Sequence, residues 1–151
     1  PGRGPRHAAF HPDGRTLYVD HELRAGVTVL ARKGEGWEHV QTIDISDDRQ
    51  TWPSAIAISP DGRHIYVAVR VTGEIVGFAV APDRSLAEIG RWPGGASWPR
   101  DMALSPSGRH LLVANQDGHK ISVLRRNEET GALTLLAADF ALNTPMRVAF
   151  A

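Results

Sequence analysis

Pro5-Arg6-His7-Ala8-Ala9-Phe10-His11-Pro12-Asp13-Gly14-Arg15-Thr16-Leu17-Tyr18-Val19-Asp20-His21-Glu22 decides the fold, because much of the chain is this stretch written again. It returns as Pro53-Ser54-Ala55-Ile56-Ala57-Ile58-Ser59-Pro60-Asp61-Gly62-Arg63-His64-Ile65-Tyr66-Val67-Ala68-Val69-Arg70. A third copy covers 99–116 around Ser105-Pro106-Ser107-Gly108-Arg109-His110, and a fourth starts at Pro145 and stops at Ala151. Pro5, Pro53, Pro99 and Pro145 lie 48, 46 and 46 residues apart. That period marks an array of small sheets rather than one ordinary core.

Each unit opens with an apolar run (8–10, 55–58, 102–104) and turns through Pro-Asp-Gly or Pro-Ser-Gly. Proline presets φ and glycine takes the φ > 0 position, so the signal is strand, tight hairpin, strand. The second strand is expected over 16–20, 64–69 and 110–115, the third over 27–30, 75–80 and 121–124, and the fourth over 40–45, 86–91 and 133–140. Several strands are apolar on both faces, as Ile65-Tyr66-Val67-Ala68-Val69 and Leu111-Leu112-Val113-Ala114 are. Strands covered on both faces, in four-stranded meanders of this period, predict an all-β fold of radially stacked β-propeller blades. Solenoids of similar period usually carry helices, and no helical apolar stripe is sustained here. Within a partial propeller domain over 1–151 the repeat units are expected at 5–52, 53–98 and 99–144, with a closing strand at 145–151.

Composition narrows the partners. Seventeen basic and seventeen acidic residues cancel and neither sign forms a block, so no nucleic-acid or anionic-membrane footprint is present. No apolar run approaches the roughly 18 residues of a membrane span, and Pro1-Gly2-Arg3-Gly4 does not read as a signal peptide. The chain has no cysteine, hence no thiol nucleophile or disulfide framework; this suits cytoplasm and periplasm alike, and cytoplasm is the expectation. Because it begins and ends inside a repeat, the chain is expected to be part of a longer propeller, or to be completed by a second copy. A pair would supply six blades and two loose strands.

Topology turns repeat offsets into positions. If the first strand is innermost, its start and the end of the second strand share one rim. Offsets one and two from each proline give Arg6-His7, Ser54-Ala55 and Arg100-Asp101; offset seventeen gives Glu22, Arg70 and Gln116. The hairpin glycine is the same in every copy, whereas offset seventeen changes from acid to base to amide, as an asymmetric ligand site requires. Arg6, His7, Glu22 and Arg70 are the catalytic candidates, and Arg100, Asp101 and Gln116 weaker substrate-binding candidates. A carboxylate or imidazole can activate water, and guanidiniums can hold an anion or a developing oxyanion. Spacing equally allows Glu22 simply to pair with Arg6 or Arg70 and tie blades together. His7, His21 and Glu22 can be drawn as a metal site, but neighbours on a strand point to opposite faces, so no metal is expected. His11, His64 and His110 lie by the opposite hairpin and read as structural. Trp52 and Trp98, each before a repeat proline, either wall the channel mouth or pack between blades.

Gly4-Pro5-Arg6-His7, Phe10-His11-Pro12-Asp13-Gly14 and Leu17-Tyr18-Val19-Asp20-His21-Glu22-Leu23, with later Ile58-Ser59-Pro60-Asp61-Gly62-Arg63 and Val113-Ala114-Asn115-Gln116, resemble the lactonase family of seven-bladed propellers. Its members include propeller-type 6-phosphogluconolactonases and carboxymuconate cyclases. The resemblance covers essentially the whole chain but only the C-terminal two-fifths or so of a full member. It implies cofactor-free hydrolysis, or the reverse closure, of an anionic sugar or dicarboxylate lactone, with the family's arginine and glutamate matching Arg6 and Glu22 and its later arginine matching Arg70. His21 stands where asparagine is common, as does Val69, and a histidine that the family supplies from an earlier blade is not in this chain. The chain alone is therefore not expected to be a competent enzyme. The competing reading is a non-catalytic propeller module presenting loops to a protein or ligand.

Overall fold

The computed structural model describes residues 2–48 and 50–150, leaving aside the side chains of 137–139. Among the described residues twelve strands form three four-stranded antiparallel sheets. Sheet one is β1 (Pro5–Phe10), β2 (Thr16–His21), β3 (Gly26–Lys33) and β4 (Gly36–Asp44). Sheet two is β5 (Pro53–Ile58), β6 (His64–Val69), β7 (Glu74–Val80) and β8 (Leu86–Pro93). Sheet three is β9 (Pro99–Leu104), β10 (His110–Asn115), β11 (Lys120–Arg126) and β12 (Leu133–Ala141). Each is a meander in chain order, as the turn signals require.

The hairpins close as Pro-Asp-Gly dictates. Gly14 N–H donates to His11 O at 2.9 Å, and Gly62 and Gly108 repeat the bond to Ser59 O and Ser105 O at 2.8 Å. All three glycines hold φ near +70°, which any Cβ would strain.

Packing explains why β6 is apolar on both faces. Ile65, Val67 and Val69 meet Tyr18, Val27 and Val29 of sheet one. Tyr66 and Ala68 meet Met102, Leu111, Val113 and Leu124 of sheet three. Sheet two is thus filled on both sides, and β1, β5 and β9 lie side by side along one inner edge. On the outer faces of the end sheets apolar side chains stay exposed: Phe10 and Trp37 on sheet one, Phe140 on sheet three.

The closing segment follows the third sheet. Residues 142–150 follow β12 outside any sheet. Val148 N–H donates to Asp101 Oδ2 at 3.0 Å, which ties the segment to β9. Ala151, the last residue of that expected strand, lies outside the described residues. No described helix is long and apolar enough to cross a membrane.

Candidate active site

The rim is built by one backbone device used three times. The residue before each repeat proline has positive φ: Gly4 at 66°, Trp52 at 50° and Trp98 at 59°. Its carbonyl then accepts the N–H at offset seventeen, from Glu22 at 2.8 Å, Arg70 at 3.2 Å and Gln116 at 3.0 Å. The start of each inner strand and the end of the next are therefore joined, as the offsets imply.

Side chains converge on Glu22. Its Oε1 accepts from Arg70 Nη2 and its Oε2 lies 3.7 Å from Arg6 Nε. Arg6 also donates through Nη1 to Ser54 O on β5, and the same nitrogen lies 3.2 Å from His7 Nδ1. Arg6 is held below its ordinary guanidinium pKa by burial first and by the charge of Arg70 second, with Glu22 and Asp20 opposing. Positive charge is crowded here, which favours an anionic guest. Arg70 is only 8% exposed; it donates to Trp52 O at 3.2 Å and lies 5.7 Å from the centre of the Trp98 ring. Trp98 meets Trp52 edge to face at 5.9 Å. Trp98 packs against Arg70, and Arg70 props Glu22.

A recess of about 610 Å³ opens beside this cluster, walled by Arg6, His7, Arg100 and Asp101 and roofed by Met146 and Arg147 of the closing segment. Ala55 and Ile56 form its apolar floor. Arg100 Nη1 donates to Gln116 Oε1 at 2.9 Å, so Gln116 steadies an arginine rather than lining the recess. Arg70 borders a separate depression of about 410 Å³ next to Gly73 and Gly95. Of the seven sequence candidates, four share the recess and three buttress it. Of the two readings of Glu22, the ion pair is what the structure shows: it ties sheets one and two through Arg70 and faces Arg6, which lines the recess, while Glu22 itself does not line it.

His21 turns from this rim. Its Nε2 lies 2.7 Å from Thr28 Oγ1, and burial first, then Arg3, lowers its pKa. The His7, His21, Glu22 grouping does not assemble, and among the described residues no three potential metal ligands do. His11 and His64 are clamps between sheets: Arg84 Nη1 lies 2.8 Å from His11 Nε2, and Arg126 Nη2 lies 2.8 Å from His64 Nδ1. Missing from the sequence reading are Arg147, Met146 and Asp20. Asp20 is fully buried and its Oδ1 accepts from His7 N–H at 2.6 Å. A comparison at offset fifteen, where Asp20 stands against Ala68 and Ala114, carries the signal for it.

Three stacked four-stranded meanders that meet along their inner strands define part of a β-propeller. A family profile described as a seven-bladed β-propeller lactonase matches residues 1–150, and the chain belongs to that lactonase family. The 6-phosphogluconolactonase of Erwinia tasmaniensis is 34% identical over 97% of this chain and 46% of its own length. That of Sodalis glossinidius is 37% identical over the same shares. Among solved structures, the periplasmic gluconolactonase of Pseudomonas aeruginosa superposes with a TM-score of 0.87 at 35% identity, over 96% of this chain and 42% of that one. A protein from Lactobacillus plantarum gives 0.90 at 28% identity, over 97% and 44%. The chain spans about half the length of the curated relatives it matches.

Proposed function

We propose that this chain is the C-terminal part of a propeller lactonase that hydrolyses an anionic sugar lactone such as 6-phosphogluconolactone. The observation that carries the reading is the recess in which Arg6, His7, Arg100 and Asp101 share one wall. An imidazole beside two guanidiniums offers a proton acceptor for water and donors for negative charge. Glu22 is a poorer base, because each of its oxygens already faces an arginine.

In the proposed reaction His7 takes a proton from water as its oxygen attacks the lactone carbonyl. Arg6 stabilises the tetrahedral oxyanion, held in place by Glu22 and Ser54 O. The carbonyl re-forms as the bond to the ring oxygen breaks, and that oxygen takes up a proton, leaving an open-chain hydroxy acid. Arg100, steadied by Gln116, holds the phosphate or carboxylate of the substrate, and Arg70 acts through Glu22. Closure of the remaining ring by further blades, or by a second copy, would cover the exposed outer faces. A phosphorylated substrate favours the cytoplasm, and the Pseudomonas relative is named as periplasmic, so the fold suits either compartment.

The test is hydrolysis of 6-phosphogluconolactone by full-length protein carrying His7→Ala or Arg6→Ala. Loss of a charged oxyanion donor lowers turnover by roughly 10²-fold. Turnover within twofold of the parent for both variants contradicts the reading.

A further inference from the structure

Asp20 is a buried acid that the proposed chemistry leaves unused. It is fully inaccessible in the middle of sheet one, where sheets two and three hold Ala68 and Ala114, equally buried. The backbone around it departs from the repeat as well. In sheet two Ala55 pairs with Ala68, and in sheet three Asp101 pairs with Ala114, so the irregularity at the start of each inner strand is one extra residue, Ser54 or Arg100. In sheet one the ladder passes from Pro5↔His21 to Ala8↔Val19 with no pair between. The equivalent pair, His7 with Asp20, is open, and the His7 N–H goes to Asp20 Oδ1 at 2.6 Å. A side-chain carboxylate has replaced the backbone ladder. Its second oxygen, Oδ2, is buried without a partner.

This arrangement is costly, since an unsatisfied buried carboxylate oxygen opposes folding. It is also unnecessary for the sheet, because alanine serves at the other two positions. Bulges bend a strand and re-aim its side chains, and the residues displaced here are Arg6 and His7. Both line the recess.

We propose that Asp20 is a positioning residue whose carboxylate holds the wide bulge of β1 open and so aims Arg6 and His7 into the recess. This rests on reading Arg6 and His7 as the lactone-binding pair, and it names what sets their alignment. Asp20→Ala copies the other two sheets, so the ladder pair closes and the strand regains the regular repeat. Asp20→Asn keeps an oxygen acceptor for His7 N–H and leaves the bulge open.

Two readouts on full-length protein test this, with Arg6→Ala as a control. The first is the structure around the His7 amide, by hydrogen exchange and crystallography: Asp20→Ala closes the pair and Asp20→Asn does not. The second is calorimetric binding of 6-phosphogluconate: at least tenfold weaker in Asp20→Ala and within threefold of the parent in Asp20→Asn, with both variants melting at or above the parent temperature. An Asp20→Ala protein that keeps the bulge, or that binds as the parent does while Arg6→Ala loses binding, overturns the positioning role. If the parent binds no 6-phosphogluconate, the lactone reading fails, and the His7 amide in Asp20→Ala alone decides whether Asp20 holds the bulge.

Discussion

Asp20 shows how one residue can hold a cost in the fold. Burial raises its carboxyl pKa, the largest influence, while the His7 N–H, the electrostatic interaction with His7 and the positive charge of Arg6 oppose. A carboxyl raised in the fold stabilises most when protonated, below the ordinary carboxylate pKa of about 4, and its contribution falls as pH rises through that value to the raised one. Asp20→Asn removes the ionisable group. The variant is therefore expected to melt above the parent at pH 7 and with it at pH 3, as differential scanning calorimetry would read. An equal gain at both pH values would mean that ionisation of Asp20 is not the source. The sequence marks Asp20 only by its contrast with Ala68 and Ala114 at offset fifteen, and neither its burial nor its bond to His7 follows from that contrast. Arg6, His7, Arg100 and Asp101 were legible, because strand order alone places offsets one and two on the rim. Arg70 was legible as a rim residue and as an ion-pair partner of Glu22, whereas Gln116 was legible only as a rim residue, since no spacing tells that its amide turns to Arg100.

At the level of elements, the hairpin and the left-handed residue before the inner strand do most of the construction. Strand positions followed from turn chemistry and a shared period, which is why the three second strands fall where the repeat puts them. The repeat places the closing segment after β12 but not over the recess, so the roof made by Met146 and Arg147 was hidden. Gly14 and Gly62 separate two costs that a sequence cannot. Both hold φ near +70°, but a Cβ on Gly62 would run into the His11 ring, whereas one on Gly14 meets open space. Gly14→Ala is expected to cost about 1 kcal/mol from backbone strain alone. Gly62→Ala should cost about 2 kcal/mol or more, as His11 and its contact with Arg84 give way. Equal losses in urea unfolding would show that the His11 ring yields freely.

Across the whole molecule, the sheets are joined by apolar packing and by two arginine clamps at the hairpin end. Arg84 donates to Asp13 Oδ2 and Arg126 to Asp61 Oδ2, both at 2.8 Å. The arginines sit at non-equivalent offsets, one in the turn after β7 and one ending β11, so repeat comparison does not find them. Arg126→Met should keep the apolar stem and cost about 2 kcal/mol, since Asp61 and His64 lose their donor. The clamp also sets the acid response. Burial, then Arg126, lowers the His64 pKa, so the fold is destabilised as pH falls through the unfolded value of about 6.5 toward the lowered one. Asp61 would be raised by burial, yet hydrogen bonds from Ser59 and Arg126 carry it down to about 2, so its contribution is full above the ordinary carboxylate pKa and lost as pH falls through 2. Melting temperature should thus fall between pH 7 and 5, and His64→Gln should flatten that step without altering the loss below pH 4. An unchanged step in His64→Gln would move the cause elsewhere, His21 being the next buried imidazole.

These sheets hold the recess, and the recess carries the central claim. The most direct measurement is the rate of 6-phosphogluconolactone hydrolysis, corrected for the spontaneous reaction, by full-length parent and by its Arg6→Ala, Arg100→Ala double variant, with melting temperatures taken alongside. The account predicts turnover at least 10²-fold lower in a variant that still folds. Hydrolysis within twofold of the parent, in a protein of unchanged melting temperature, would contradict it.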